Sequence, residues 1–417
     1  MRDTLLTRVL AKNDATAFAW PSGSGITELL STGIGGNYSA EDSSTAVPDG
    51  THLGNSDAWF AAPFLNETSG GIGYYDTLRF DPRVGHVPQL NASVSSLSKR
   101  KFQLLDGFDY TNPVGRLGLG PGHHADKRDS ILDQLESDGA IASNTFSLHM
   151  GSALLNQSAS LIFGGYEKNR ALGPVGSFEM NHGFPMILLR DVFLGTAVGA
   201  TVFENETISV YHGIGDDKRA ALVSRGSKLP LGATVAGPNP STPYIYLPWG
   251  TCEAAAKHLP VTWDDSLGLY LWNVEDPRYN RTVGSSAYMG FTLEDQNAAN
   301  ITIKVPFQLL NLTLTPPLVE IPTKYLPCRP TRTEYGFFQL GRAFLQSAFM
   351  FVNFETNTMM MAQGPGPDMG QSVLRSVDSG TGSILETEPI DTWVETWASR
   401  WTAYPEADSP SDAIVEL

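Results

Sequence analysis

GRLGLG, SILDQLESDG, IASNTFSLHM and ASLIFGGYEKNRALG follow one another between Gly115 and Gly173, and this order of segments decides the fold. SILDQLESDG carries Leu132 and Leu135 and closes on Gly139, a pattern that predicts one short helix. The segments around it are short apolar runs next to glycines, which is typical of strands. The stretch therefore predicts a strand, a helix and two further strands.

The rest of the chain has the same strand-like character. Short alternating or apolar runs recur between Gly, Pro, Asn and Asp, as in TLLTRVLA, TAFAW, GYYDTLRF, TPYIYLP, LGLYLWN, NITIKVPF and FMFVNFE. Only 17% of the 417 residues are charged, while Gly and Pro number 41 and 27, which favours many turns and few exposed helices. We therefore predict a mainly β protein.

Two parts of the chain echo each other. RLGLG at 116–120 precedes the helix of the first half, and QLGRAFL at 339–345 leads into the strand FMFVNFE of the second. A chain of this length suits two domains, or one two-lobed unit, with a tail. The predicted units are an N-terminal lobe at 1–183, a C-terminal lobe at 184–365 and an acidic tail at 366–417.

The composition of the tail shifts to Gly, Pro, Ser, Asp and Glu, which predicts a largely disordered segment. Trp393, Trp397 and Trp401 recur every four residues, so a short Trp-rich helix is expected at 391–404. Packing of this helix on the body or on a partner is favoured over a membrane-interface role, because its neighbourhood is acidic.

The net charge of −16 excludes nucleic acid as a partner, since phosphates would be repelled and no run of Lys or Arg offsets the charge. Cys252 and Cys328 lack the spacing of a zinc site or of a redox CxxC pair. A single disulfide or two buried thiols remain. No stretch of the chain reaches transmembrane length.

Asn-x-Ser/Thr glycosylation acceptors are spread over most of the globular part, at Asn37, Asn66, Asn91, Asn156, Asn205, Asn280, Asn300 and Asn311. This density, with a disulfide-compatible cysteine pair, predicts a secreted, cell-surface or vacuolar protein. Residues 1–20 contain no apolar core of the length a signal peptide requires. We therefore expect the first lobe to be truncated at its start, with an unsecreted protein as the alternative.

The segments between Gly115 and Gly173 resemble, in their order, the first lobe of a pepsin-type aspartic peptidase. TPYIYLPWGTC, WDDSLGLYLWN, IKVPFQLLNL and QLGRAFLQSAFMFVNFETNTMMMAQ are similar to the second lobe, and the last of them to its closing strand. The resemblance covers roughly residues 10–363 and is strongest to a divergent fungal branch of the family.

The resemblance implies a bilobed fold, with two pseudo-twofold related β lobes, a cleft between them and a shared sheet beneath. It implies a peptide or protein ligand in that cleft, with no cofactor and no metal, and we expect a monomer. In active members each lobe offers an Asp-Thr/Ser-Gly loop. The two carboxylates share one proton and activate the water that attacks the peptide carbonyl.

The first catalytic position of the family lies seven residues before a Trp. If that Trp is Trp20, Asn13 takes the place of the catalytic Asp. Asp14 is a candidate only after a slip of one residue, and Ala15 and Thr16 then replace the Gly that lets the loop fold tightly.

The second catalytic position falls in AGPNPSTP, just before TPYIYLP. Asn239 stands where the family has Asp, and Pro240 and Ser241 replace Thr and Gly. An amide cannot take a proton from water, so an Asp and Asn pair would lose most of the general-base contribution.

The flap of the first lobe differs as well. Counted backwards from GYYDT at 73–77, the position of the family's flap Tyr is Phe64, which has no hydroxyl. A glycan on the nearby Asn66 would obstruct a cleft, although an ordinary surface hairpin is the favoured interpretation.

Two further motifs are weighed and set aside. Asp378–Thr381 spells the catalytic signature, but it follows the last recognisable strand in a Gly/Ser-rich stretch, so chance explains it. His123 and His124 are adjacent on a loop with no third ligand in view, which favours a solvated loop over a metal site.

These residues predict a pepsin-like protein that is catalytically impaired and keeps its cleft for peptide, protein or glycan. The alternative is an active aspartic endopeptidase that hydrolyses proteins at acidic pH.

Overall fold

A computed structural model describes most of the chain. The described residues are 7–11, 16–22, 27–30, 37–53, 66–80, 89–103, 109–111, 114–121, 130–181, 184–185, 187–213, 234–331, 337–384, 387–389 and 392–404. The protein is mainly β, with 45% strand and 12% helix.

Strands follow one another closely through the first half. They are β1 (Thr7–Ala11), β2 (Thr16–Ser22), β3 (Thr27–Leu30), β4 (Val47–Leu53), β5 (Asn66–Phe80), β6 (Leu90–Gln103), β7 (Asp109–Thr111), β8 (Gly115–Gly118), β9 (Thr145–His149), β10 (Ser160–Phe163), β11 (Gly165–Glu167), β12 (Leu172–Asn181) and β13 (Phe184–Pro185).

The second half continues in the same way. Its strands are β14 (Ile187–Thr196), β15 (Thr207–Ser209), β16 (Thr234–Pro238), β17 (Ile245–Pro248), β18 (Val261–Asp264), β19 (Leu269–Trp272), β20 (Ala287–Glu294), β21 (Asn300–Pro306), β22 (Leu312–Leu314), β23 (Thr323–Leu326), β24 (Cys328–Thr331), β25 (Phe337–Leu340), β26 (Ala348–Asn353), β27 (Thr358–Gln363) and β28 (Leu374–Ser376).

The helices in the described part are short. They are α1 (Ile131–Ser137), α2 (Trp249–Lys257), α3 (Pro277–Gly284), α4 (Arg342–Leu345) and α5 (Thr392–Glu395), and a single 3-10 turn covers Lys168–Arg170.

Helix α1 confirms the prediction made from SILDQLESDG. The Ser130 hydroxyl accepts from the Asp133 amide, and the Asp133 carboxylate accepts from the Ser130 amide, so two otherwise unpaired amides are satisfied at the N-terminus. Leu132 and Leu135 are buried one turn apart, and the chain leaves the helix through Gly139 at a φ of +69°.

Two eight-stranded sheets share one pattern over seven of their strands. In the first sheet the order is β4, β5, β1, β2, β8, β3, β6, and in the second it is β21, β20, β14, β16, β25, β17, β24. Wherever two neighbouring strands of the first sheet are parallel, the corresponding two strands of the second sheet are parallel too, and the antiparallel pairs match in the same way. Only the outermost hairpin differs: the edge strand β4 precedes β5 in the chain, whereas the edge strand β21 follows β20.

The centre of each sheet holds the same unusual arrangement of three strands. In the first sheet β8 lies between β2 and β3, parallel to β2 and antiparallel to β3. In the second, β25 lies between β16 and β17 in the same way. In the second unit the loop between β16 and β17 passes over the end of β25, where the Gly341 amide donates to the Tyr244 carbonyl. We call these the first and second three-strand units.

A six-stranded sheet joins the two halves of the chain, in the order β10, β9, β26, β27, β12, β13. Within this sheet β9 from the first half pairs with β26 from the second. Every residue of β9 and of β26 is buried, since apolar side chains cover both faces. The main hydrophobic core runs continuously from Leu29 in the first half to Trp397 in the tail.

The two cysteines form a disulfide, which decides between the two alternatives that the sequence leaves open. Cys252 in α2 and Cys328 in β24 are both buried, with their Cα atoms 5.8 Å apart and 76 positions between them in sequence. The bond ties the helix after the second three-strand unit to the outer strand of the same sheet.

Part of the tail, at 366–384, 387–389 and 392–404, lies among the described residues and contains regular structure. The strand β28 pairs with β11, and the helix α5 lies within the predicted range 391–404. Trp393 and Trp397 are 2% and 0% exposed, and the Trp397 ring stacks on Trp401 at 5.1 Å. The average composition of the tail does not indicate that these rings are buried. Their burial stabilises the packing of the segment against the body.

Candidate functional site

The site begins where the second three-strand unit ends. β16 runs parallel to β25, and the Asn239 amide continues the pairing by donating to the Leu340 carbonyl at 3.0 Å. The Thr242 amide then donates to the Asn239 carbonyl at 3.2 Å, which turns the chain back towards β17. Asn239 therefore lies at the tip of the unit and is half-buried.

The Asn239 side chain is held on both of its polar atoms. Its Oδ1 accepts from the Ser241 amide at 3.0 Å and from the Ser241 hydroxyl at 2.5 Å. Its Nδ2 donates to Gln339 Oε1 at 3.1 Å. These partners assign the amide orientation, since an amide N–H of Ser241 can only donate.

Close backbone approach fixes the loop above the middle strand. The Gly341 amide donates to the Tyr244 carbonyl at 3.0 Å, and the Arg342 amide donates to the Thr242 carbonyl at 2.8 Å. A Cβ at position 341 would lie 2.5 Å from the Thr242 carbonyl oxygen and nearer still to that of Tyr244. The glycine of QLGRAFL is therefore required by packing.

The described partners of the Asn239 side chain offer hydrogen-bond donors and acceptors but no carboxylate. Asn239 and Gln339 are neutral amides, and Ser241 donates its hydroxyl to Asn239. Neither amide can act as a general base at any ordinary pH. These groups can therefore hold a polar ligand, and neither amide can take a proton from water.

Strand register identifies the corresponding position in the first three-strand unit. Pro238 pairs with Leu340 and Pro21 pairs with Leu117, so the two prolines correspond. The residue after each proline is Asn239 in one unit and Ser22 in the other. Ser22 pairs with Gly118, the counterpart of the tightly packed Gly341.

This register differs from the assignment of Asn13 to the catalytic position. Asn13 and Asp14 lie outside the described residues, but both precede β2 in the chain, whereas the counterpart of Asn239 is the last residue of β2. Trp20 comes two residues before Ser22 in the chain. The signal that finds Ser22 is the shared Leu-Gly of the two middle strands.

The predicted flap position, Phe64, lies outside the described residues, as does the side chain of Asn66. The neighbouring GYYDT segment is described and contains a group that sequence reasoning missed. The Asp76 carboxylate is fully buried and accepts from the hydroxyls of Tyr38 at 2.8 Å and Ser43 at 2.9 Å. This buried network joins the turn before β4 to the middle of β5.

The segment that spells the family's catalytic signature, Asp378–Thr381, is an exposed turn after β28. The Ser379 hydroxyl and the Gly380 amide both donate to the Glu355 carboxylate, at 2.9 Å and 2.6 Å. The turn is therefore held at the surface by an acidic residue, far from any three-strand unit in the sheet order.

We searched the described residues for a candidate metal site and found none. No group of three or more His, Cys, Asp or Glu side chains in the described ranges could hold an ion. His123 and His124 fall outside those ranges.

Most of the glycosylation acceptors are accessible. Those with exposed side chains are Asn37, Asn91, Asn156, Asn205, Asn280 and Asn300. Asn311 is different: it is half-buried, and its amide exchanges hydrogen bonds with the Tyr279 hydroxyl at 2.9 and 3.2 Å. A glycan on Asn311 would have to break this pair.

Comparison with known proteins yields no assignment, since no family model matches the chain and no curated protein is significantly similar to it. In the part of the chain that the structure covers, no helix combines the length and the apolar character needed to cross a bilayer.

Proposed function

We propose that this protein is a divergent member of the pepsin-type aspartic peptidases, bilobed, with the two three-strand units facing a cleft between the lobes. Seven corresponding strands in the two eight-stranded sheets support this fold, because a duplicated lobe would give that repeat. The six-stranded sheet that combines β9 with β26 suits the shared sheet beneath such a cleft. The proposed lobes keep the predicted boundaries at about residues 183 and 365.

We further propose that the protein is a pseudo-peptidase that binds a peptide or protein in this cleft, as a monomer and without a cofactor. The observation that carries this proposal is the side chain of Asn239, a neutral amide bound to Gln339 and Ser241 at the tip of its unit. By register the opposite tip carries Ser22, which is no carboxylate either. Without two carboxylates that share a proton, a water molecule between the tips is not activated.

Peptide binding is tested by selection from a random octapeptide library displayed on phage, with the full-length glycosylated protein as bait. We expect a consensus peptide that binds without being cleaved, as judged by its mass after prolonged incubation. Failure to enrich any peptide, with a correctly folded protein, would contradict the binding function. Cleavage of the enriched peptide would instead support the active endopeptidase.

We also propose that the protein passes through the secretory route, to the exterior, the cell surface or a vacuole. The buried disulfide and the six exposed acceptor asparagines support this location. Mass spectrometry of the native protein before and after enzymatic deglycosylation tests it. Glycans on exposed acceptors and none on Asn311 are the expected result, and an unglycosylated native chain would contradict the proposal.

A further inference from the structure

A buried arginine lies on the same sheet face as the tip amides. Gln339 pairs with Tyr246 across β25 and β17, and Tyr246 pairs with Arg329 across β17 and β24. Directly paired residues in neighbouring strands project from the same face, so these three side chains form one row. Gln339 contacts Asn239 at one end of the row, and Arg329 occupies the other, about 10 Å away at a strand spacing of about 4.8 Å.

No carboxylate of the described residues balances the charge of Arg329. The residue is 3% exposed, its Nη1 is buried without a hydrogen-bond partner, and no described acidic side chain forms an ion pair with it. The buried carboxylates of the described part are engaged elsewhere: Asp76 with Tyr38, Glu167 with Arg170, and Asp295 with its own turn.

Burying an unpaired charge costs free energy. A guanidinium cannot avoid this cost by losing its proton, because guanidinium groups stay protonated in proteins. The Tyr244 ring lies 5.1 Å from Arg329 Cζ, in a cation–π contact that stabilises the charged guanidinium. The ring does not, however, provide an acceptor for the remaining N–H group. Buried charges of this kind are ordinarily paired with an anion.

A second guanidinium acts at the same place. Arg342 Nη1 donates to the carbonyl of Pro240, the residue after Asn239, at 3.1 Å. Both Arg329 and Arg342 favour the ionised form of the Tyr244 hydroxyl, although burial has the larger effect and raises the pKa of Tyr244. Arg342 is only half-buried, so a ligand can reach it from solvent.

We propose that Arg329, Arg342 and the Tyr244 hydroxyl form a carboxylate-binding site beside Asn239, which takes an acidic side chain or the C-terminus of a peptide. The inference rests on the proposed peptide-binding function of the cleft. A guanidinium matches a carboxylate with two parallel hydrogen bonds, which supplies the acceptor that Arg329 lacks. Because the protein carries a net charge of −16, a singly charged carboxylate is favoured over a phosphate dianion.

The first arm of the test uses acetate alone and needs no peptide. Thermal unfolding of the full chain is measured in sodium acetate, sodium phosphate and sodium chloride at equal ionic strength and neutral pH. We expect acetate to raise the midpoint of wild type above its value in chloride, and the rise to disappear in Arg342→Gln. Arg278→Gln is the matched control, since Arg278 is an exposed arginine that pairs with Asp276, and it should keep the rise.

Arg329→Lys provides a second variant, which keeps the positive charge but not the planar guanidinium that can donate two parallel hydrogen bonds. Acetate should raise the unfolding midpoint of this variant less than that of wild type. If Arg329→Lys does not fold, Arg342→Gln decides the result alone. An equal midpoint in acetate and chloride for wild type would overturn the proposal. A larger rise in phosphate than in acetate would overturn the choice of a carboxylate.

The second arm uses the peptide enriched from the octapeptide library. Each Asp or Glu is replaced by its amide in one set, and the C-terminus is amidated in another, so the two sources of the carboxylate are separated. One of these changes should weaken binding to wild type about 10- to 100-fold and leave binding to Arg342→Gln unchanged. If no peptide is enriched, the proposed function fails while acetate still reports on the site. If peptides bind and no carboxylate matters, the site fails alone.

Discussion

The two three-strand units have the same backbone pairing but carry different side chains at their tips. The first continues from Pro21 into SGSG, and the second continues from Pro238 into NPST. Pairing between strands depends on backbone groups and on the buried Leu-Gly of the middle strand, so it survives when the tip residues change. The backbone pairing of a unit therefore does not determine which residues stand at its tip.

The largest expected effect concerns a feature that only the second unit has. Replacing both Cys252 and Cys328 by Ser should lower the free energy of unfolding by about 4 kcal/mol, because the bond closes a long loop in the unfolded chain. Denaturant unfolding followed separately at the two halves would measure it. If the disulfide supports the second unit alone, the second half should unfold first in the double variant. Simultaneous unfolding of both halves would show that they are not independent.

A smaller loss is expected where the second tip is most tightly packed. Gly341→Ala places a Cβ against the carbonyls of Thr242 and Tyr244, so we expect a loss of about 3 kcal/mol of stability. Gly370→Ala is the matched control, because a Cβ there meets open space. Chemical denaturation of both variants measures the difference, and equal stabilities would refute the close packing of this tip.

The junction of the two halves should be sensitive to acid. His149, at the end of β9, is fully buried, and its Nε2 donates to the Gln346 carbonyl at 3.0 Å while its Nδ1 accepts from Arg170 Nη1 at 2.8 Å. Burial lowers the pKa of His149 from 6.5 to about 3. The charge of Arg170 also lowers this pKa, whereas the hydrogen bond to the Gln346 carbonyl raises it.

The sign of the effect follows from this depressed pKa. The unfolded chain binds a proton below about pH 6.5 and the folded chain does not, so stability falls by about 1.4 kcal/mol per pH unit between pH 6.5 and 3. From pH 6.5 to about 4.5, wild type should lose about 3 kcal/mol more than His149→Gln. Urea unfolding at both pH values tests this difference, and parallel losses in the two proteins would contradict it.

The smallest effect is expected at the tip itself. Asn239→Asp should show no peptidase activity above background, because one carboxylate opposite Ser22 has no partner with which to share a proton. Its Oδ1 can still accept both bonds from Ser241, so the fold should persist, as circular dichroism would show. Appearance of pepstatin-sensitive cleavage in this single variant would mean that the first half supplies a carboxylate after all.

The elements that the sequence predicts well are those with strong local signals. Helix α1 follows from Ser130, Leu132, Leu135 and Gly139, and the position of Asn239 follows from the strand TPYIYLP after it. The counterpart of Asn239 in the first unit has no comparable local signal, because a short hairpin of two ordinary strands leaves its register open. Register is a property of pairing with β8, which lies over 90 residues later.

Two other features depend on tertiary burial. The spacing of Trp393, Trp397 and Trp401 predicts an aromatic helix that packs on the body or on a partner, but it does not show how completely Trp393 and Trp397 are buried. Arg329 in CRPT is indistinguishable from a surface residue by sequence, and only the pairing of β24 with β17 places it beneath Tyr244. Burial of a single charged residue in a strand has no periodic signature.

We propose that this protein lacks a working pair of carboxylates, and cleavage of a denatured protein is the sharpest test. The purified full-length protein is incubated at about pH 3 to 5 with an acid-unfolded substrate, with and without pepstatin. Its fold is checked at the same pH because of His149, and an active member of the pepsin family serves as a positive control. We expect no pepstatin-sensitive products, whereas cleavage that pepstatin abolishes would contradict the proposal.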